Sequence, residues 1–219
     1  MVAGDDLLPR LDELVATGHE LDHLDTGEPL SAVRDRVVSA NAYLGAGPVA
    51  DALGRGAGVV VTGRVADAAL TLGPLLHEFG WAPTDWHHLA AGTTAGHLIE
   101  CGAQATGGLW MNADDSTRLA EVGYPIADAA ADGSFRVTKP VGTGGAVNVE
   151  TVAEQLLYEV GDPARYLTPD VVADFTAPRL AEVGPDVVQV TGCRGRPATE
   201  TYKVSVAYRD GYSAAGTLT

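Results

Sequence analysis

The sequence predicts an α/β fold: a parallel-sheet βαβ body of Rossmann-like character over residues 1–168, followed by a mostly β part over residues 169–219. Three observations predict it. A strand–helix–strand–helix alternation runs from Val37 to Phe79, the order that joins parallel strands through crossover helices. A glycine-rich turn, Gly142-Thr143-Gly144-Gly145, opens a helix with an unbroken apolar stripe. After Pro169 the helical periodicity stops, and short β-rich runs separated by Gly and Pro take over.

Each element has its own signal. Leu7, Leu8, Leu11, Leu14 and Val15 recur at helical spacing over residues 5–16. The polar, acidic stretch from Thr17 to Leu30 carries Gly27 and Pro29 as breakers. Residues Val37 to Leu44 read as a strand, Gly45 to Gly47 as a turn, and Pro48 as the first residue of a helix that Gly54 and Gly56 end near Arg55; proline suits that position because its missing N–H would have no partner there. Val59-Val60-Val61 reads as the second strand, parallel to the first, and Ala66 to Phe79 as the next helix, with Leu70, Leu72, Leu75 and Leu76. Trp86 to Ala103 reads as a helix whose Gly92 and Gly96 predict close packing on a neighbour. Residues 107–134 are loop-rich, and Phe135-Arg136-Val137 is a short strand. Val149, Val152, Ala153, Leu156, Leu157 and Val160 form the stripe of the helix after the glycine turn, with Asn148 as its cap and Gly161 and Pro163 as its stop. Strands are predicted at Val171-Val172, Arg179–Val183, Val187–Val190 and Tyr202–Tyr208.

Charge excludes several functions. The 219 residues hold 14 Lys plus Arg against 29 Asp plus Glu, a formal net charge of −15, and Lys139 and Lys203 are the only lysines. Nucleic-acid binding needs cations to displace counterions from phosphates, and no segment supplies a basic stripe, so no nucleic-acid partner is expected. An anionic membrane is disfavoured for the same reason. Cys101 and Cys193 make no disulfide framework and have no zinc-site spacing, so no metal is expected. Asp5 and Asp6 stand where a signal peptide would carry basic charge, and no apolar run reaches bilayer length. A cytoplasmic protein is expected.

A parallel sheet binds its ligands beyond the carboxyl ends of its strands. That rule brings Asn41 and Tyr43 to one crevice with Thr62, Gly63, Arg64 and Asp67. Arg64 offers a forked donor for a carboxylate or phosphate. Asp67 either orients Arg64 and accepts from a ligand hydroxyl, or caps the following helix with Arg64 merely paired to it. The loop of Gly142, Thr143, Gly144 and Gly145 presents N–H groups that can cradle an anion, with Lys139 adding a charge; a plain tight turn is the competing reading. The loop is neither a Walker loop nor the dinucleotide fingerprint, since no Gly-Lys-Ser/Thr follows and Val147 stands at the third glycine position. His97, Glu100 and Cys101 share one helix face at i, i+3 and i+4. Glu100 and Cys101 are thereby candidate catalytic groups, against the alternative that the cysteine is a small core hydrophobe.

Several ordered blocks resemble one family. They include SANAYLGAGPVADAL from Ser39, VVVTGRVADAALTLGPLLHEFGW from Val59, LAAGTTAGHLIECGAQATGG from Leu89, FRVTKPVGTGGAVNVETVAEQLLYEVGDPARYLTPDVVADF from Phe135 and VQVTGCRGRP from Val188. Together they are similar to the acyclic terpene utilisation AtuA-like family from about Gly4 to Asp210. The resemblance implies a role in catabolism of branched, terpenoid-derived acids beside acyl-CoA carboxylases and a small partner subunit. It also implies a further α/β segment before the position of Gly4 and more chain after Asp210, so the sheet of this chain is expected to be incomplete. It transfers site blocks rather than catalytic roles: Ser39–Tyr43, Thr62–Asp67, Glu100–Gly102 and Lys139–Gly145.

Two functions follow as expectations. One is an enzyme acting on a small carboxylate or acyl-CoA thioester by hydration, hydrolysis or lyase chemistry, with the CoA moiety entering only as part of the substrate. The other is a non-catalytic ligand-binding or scaffold subunit. A homo-oligomer is expected in either case.

Overall fold

The computed structural model describes residues 1–217. Strand β1 (Val37–Ala42) is followed by helix α2 (Gly47–Gly54), helix α3 (Ala69–Phe79) and helix α4 (Trp86–Glu100), after a short N-terminal helix α1 (Leu11–Ala16). Strands β2 (Ile126–Ala129) and β3 (Phe135–Thr138) precede helix α5 (Val149–Leu157). Six strands complete the chain: β4 (Tyr166–Leu167), β5 (Val172–Asp174), β6 (Arg179–Gly184), β7 (Val187–Thr191), β8 (Arg194–Arg196) and β9 (Val204–Tyr208).

The parallel-sheet, Rossmann-like body is overturned. The strands form three sheets, ordered β1-β9, β2-β3-β7-β6 and β4-β5-β8, and every pairing in them is antiparallel. Val59-Val60-Val61, expected as the second parallel strand, forms no strand; Val59 is 83% exposed and Val61 61%. A continuous apolar run marks a buried strand where both of its faces are covered, and among the described residues this one stays exposed. Among the described residues parallel alignment survives only as isolated bridges, Val2 with Thr62, Leu44 with Val65 and Val122 with Gly144. The first is tied by Val2 N–H to Val61 O at 2.8 Å and Gly63 N–H to Val2 O at 3.0 Å.

The helices follow their local signals. Asn148 caps α5 by accepting the Thr151 N–H at 2.9 Å, and the predicted stripe places Val152 and Leu156 in the core. Helix α4 is buried along Leu89–Leu98. Gly92 and Gly96 allow that burial: a Cβ at Gly96 would meet the Ala68 Cα at 2.7 Å, and one at Gly92 the Leu72 Cδ1 at 2.5 Å. One core holds Leu72, Leu89 and Leu98 from the helices with Val137, Val188 and Val190 from the four-stranded sheet. That sheet draws β2 and β3 from before residue 168 and β6 and β7 from after it. A separate small cluster of Leu11, Leu30 and Ala40 lies under α1 and the β1–β9 pair.

Candidate functional site

Four sequence blocks meet at the end of β1. The N-terminal segment lies along one edge of β1, with Leu7 N–H donating to Ala40 O and Ala42 N–H to Asp5 O, both at 2.8 Å. Beyond β1, Leu44 N–H reaches Arg64 O at 3.2 Å and Ala66 N–H reaches Leu44 O at 2.8 Å. These bonds bring Asn41, Tyr43, Thr62, Gly63, Arg64 and Asp67 together without a parallel sheet.

Asp5 is the hub. Its carboxylate, only 7% exposed, accepts the Arg64 backbone N–H at 2.8 Å and the Asn41 amide at 2.9 Å. The Arg64 N–H first, and then the Asn41 amide, hold its pKa below the usual carboxylate range against the opposing effect of burial. Gly63 is glycine for a visible reason: a Cβ there would fall on the Asp5 carboxylate. Asn41 thus serves Asp5.

The Arg64 guanidinium lies 4.9 Å from the Tyr43 ring centroid, and the Lys203 ammonium lies 5.1 Å from the same ring. Arg64 is 44% exposed and touches Asp67 at 3.4 Å, a long contact in solvent that is worth little. Asp67 does not cap α3, whose N-cap is Ala68 with no side-chain hydrogen bond. Each cation is drawn to the negative π face of the ring.

The end of α4 adjoins this spot. His97 is buried, and its Nδ1 lies 2.9 Å from Glu100 Oε1, a side chain 19% exposed. The imidazole stacks on Phe175 at 5.1 Å and tilts against Tyr166 at 5.4 Å, while its buried Nε2 has no partner. The predicted helix face therefore pairs histidine with Glu100. Cys101, half-buried at the end of the helix, makes no hydrogen bond to His97 among the described residues. Burial, then the negative charges of Glu100, Asp67 and Cys101, push the Tyr166 phenol up to about 12. Helix α4 meets the Arg64 segment through packing, with Gly96 set against Ala68.

The glycine loop is satisfied from within. Thr143, Gly144, Gly145 and Ala146 donate their N–H groups to the carbonyls of Pro140, Glu121, Thr117 and Thr106. Val147 N–H goes to the Asp186 carboxylate at 2.9 Å and Val149 N–H to Glu182 at 3.2 Å. Lys139, 7% exposed, places its ammonium 3.0 Å from both Thr143 O and Asp186 Oδ2. Gly142 and Gly145 take positive φ, at 84° and 85°, the turn geometry that glycine favours. The anion at this helix start is the protein's own.

Sequence reasoning missed Asp5 and Lys203. Nothing in spacing links Asp5 to residues 41 and 64, whereas Lys203 had a signal, being one of only two lysines in a chain of net charge −15. Two clefts lie nearby but not over Arg64. One, of about 450 Å³, runs between residues 20–33 and β9; the other, of about 490 Å³, lies between the N-terminus and α2. Among the described residues no three His, Cys, Asp or Glu side chains gather as a metal site, and no helix is long and apolar enough to cross a membrane.

Charge rather than concavity marks the site, so fold and site together define an α+β protein with a cationic, aromatic spot on an acidic surface. The chain belongs to the acyclic terpene utilisation AtuA family, whose pattern, described as acyclic terpene utilisation family protein AtuA, it matches over residues 1–219. Membership assigns it to acyclic terpene utilisation. No curated protein and no solved structure matches it.

Proposed function

We propose that this chain binds a small carboxylate or an acyl-CoA thioester at Tyr43, Arg64 and Lys203, and that it serves a hydration, hydrolysis or lyase step in catabolism of branched, terpenoid acids. One observation carries the reading: two of the few cations in a chain of net charge −15 converge on one aromatic ring. Arg64 supplies a planar fork for the anion and Lys203 a point charge. In this reading Asp67 pairs with Arg64, and Glu100 and Cys101, at the end of α4, are the candidates for proton transfer.

The engagement of Asn41 and Asp5 in an internal hydrogen bond with each other favours a second reading, a binding subunit that works with a partner. Calorimetry with CoA thioesters, branched acids and nucleotides tests the first proposal. Binding of an acid or thioester that Arg64→Ala abolishes supports it, and equal binding by the variant overturns it. Asp67→Ala and Glu100→Gln then separate the two readings: lost turnover with retained binding marks an enzyme, and lost assembly alone marks a subunit.

A further inference from the structure

Strand β9 leaves one edge open. Among the described residues it pairs only with β1, opposing Val206 to Ala40 and Val204 to Ala42. Ala40 and Ala42 turn their backbone groups toward Leu7 and Asp5 on the far side of β1. Opposed residues of an antiparallel pair alternate between exchanging both hydrogen bonds and exchanging none. Val204 and Val206 therefore direct their N–H and C=O groups away from β1.

The cleft of about 450 Å³ lies along that edge, because Val204, Val206 and Tyr208 line it and no residue of β1 does. Its floor is aliphatic: Leu21, Leu30 and Val33 join Val204 and Val206 from the small cluster under α1. Its rim is acidic, with Glu20, Asp22, Asp25 and Glu28 all exposed. Each feature on its own is ordinary, but the three occur along one line. An open strand edge offers hydrogen bonds in register, alternate side chains of an added strand reach an apolar floor, and the rim selects their charge.

We propose that β9 is a docking edge for an extended segment of a partner protein in which aliphatic residues alternate with Lys or Arg. The segment adds a strand beside Val204 and Val206, sets its aliphatic side chains on Leu21, Leu30 and Val33, and meets the acidic rim with its cations. Lys203 lines this cleft and also meets the Tyr43 ring, so the two surfaces adjoin, and the variants that test this proposal leave Tyr43, Arg64 and Lys203 unchanged.

The test is fluorescence anisotropy of a short synthetic peptide of alternating Lys and Val with the full chain. Amide shifts by NMR locate the peptide. Binding with shifts at Val204 and Val206, about tenfold weakened by Glu20→Lys with Asp25→Lys, supports the proposal. So does loss of binding by a peptide N-methylated at alternate residues, a change that leaves the protein untouched. Equal binding by an all-lysine peptide of the same charge overturns it, since the rim would then act alone. Equal binding by the N-methylated peptide, no binding at millimolar concentration, or a dimer that Val206→Lys dissociates would also overturn it.

Discussion

Lys139 beside the Gly142–Gly145 loop and Arg64 beyond β1 are each a cation set near glycine-rich backbone, yet their surroundings are opposite. The Lys139 side chain is 7% exposed and ends 3.0 Å from Asp186, and the N–H groups of its loop already meet Thr106, Thr117, Glu121 and Asp186. Arg64 is 44% exposed, with a single long contact to Asp67, and shares the Tyr43 ring with Lys203. A buried cation must be paired because desolvation is severe, so the first region stabilises the fold, with the N–H groups from Thr143 to Val147 bonded inside the protein. Solvent tolerates an incompletely paired cation, which is why we propose the second region rather than the first as the anion site.

The contrast can be broken in four ways. The largest effect is expected from Arg64→Ala with Lys203→Ala. Losing two charge-assisted contacts should weaken the best carboxylate or thioester ligand on the order of a hundredfold while thermal stability holds. Unchanged affinity in calorimetry would remove the site. Next, Lys139→Met should lower unfolding free energy in urea by about 2 kcal/mol and leave ligand affinity alone; the figure is modest because Asp186 is 42% exposed. Loss of affinity at constant stability would reverse the roles of the two regions.

Gly63→Ala should cost about 1–2 kcal/mol, since its new Cβ displaces the Asp5 carboxylate, and it should weaken ligand binding through Arg64. A melting temperature equal to wild type would show that Asp5 does not sit over Gly63. The smallest effect concerns pH. The folded pKa of Asp5 is lowered, so its stabilisation is complete above the unfolded value of about 3.9 and fades as pH falls through the folded value. Asp170, which accepts the Ala46 N–H at 2.9 Å, is raised by burial, so its contribution is complete below that unfolded value and is lost as pH rises through the folded one. Asp5→Asn should therefore flatten the acid limb of a melting-temperature profile, and Asp170→Asn should leave the neutral side level or slightly higher. The same profile change from both variants would contradict the opposite shifts.

Much of the site was legible where contacts are local. Arg64 with Asp67, and His97 with Glu100, are three residues apart, and helical or turn geometry alone brings such pairs together. Asp5 joins Asn41 and Arg64 across 36 and 59 residues, and Lys203 reaches Tyr43 from the far end of the chain; no periodicity reports such partners. The glycine loop left two readings open because its composition is the same whether its N–H groups face a guest or face the Thr106, Thr117 and Glu121 carbonyls.

What the sequence by itself determined was each helix from α2 to α5, the Asn148 cap, the close approach at Gly92 and Gly96, and the acidic surface. Each of these depends on neighbours a few residues away or on composition. Only the tertiary structure decided the direction of strand pairing, the exposure of Val59 and Val61, and the junction of Asp5 and Lys203 with Arg64. The physical reason is that a strand's backbone groups hydrogen-bond to whichever chain lies alongside, parallel or antiparallel, so alternation and apolarity record burial and leave the partner unspecified.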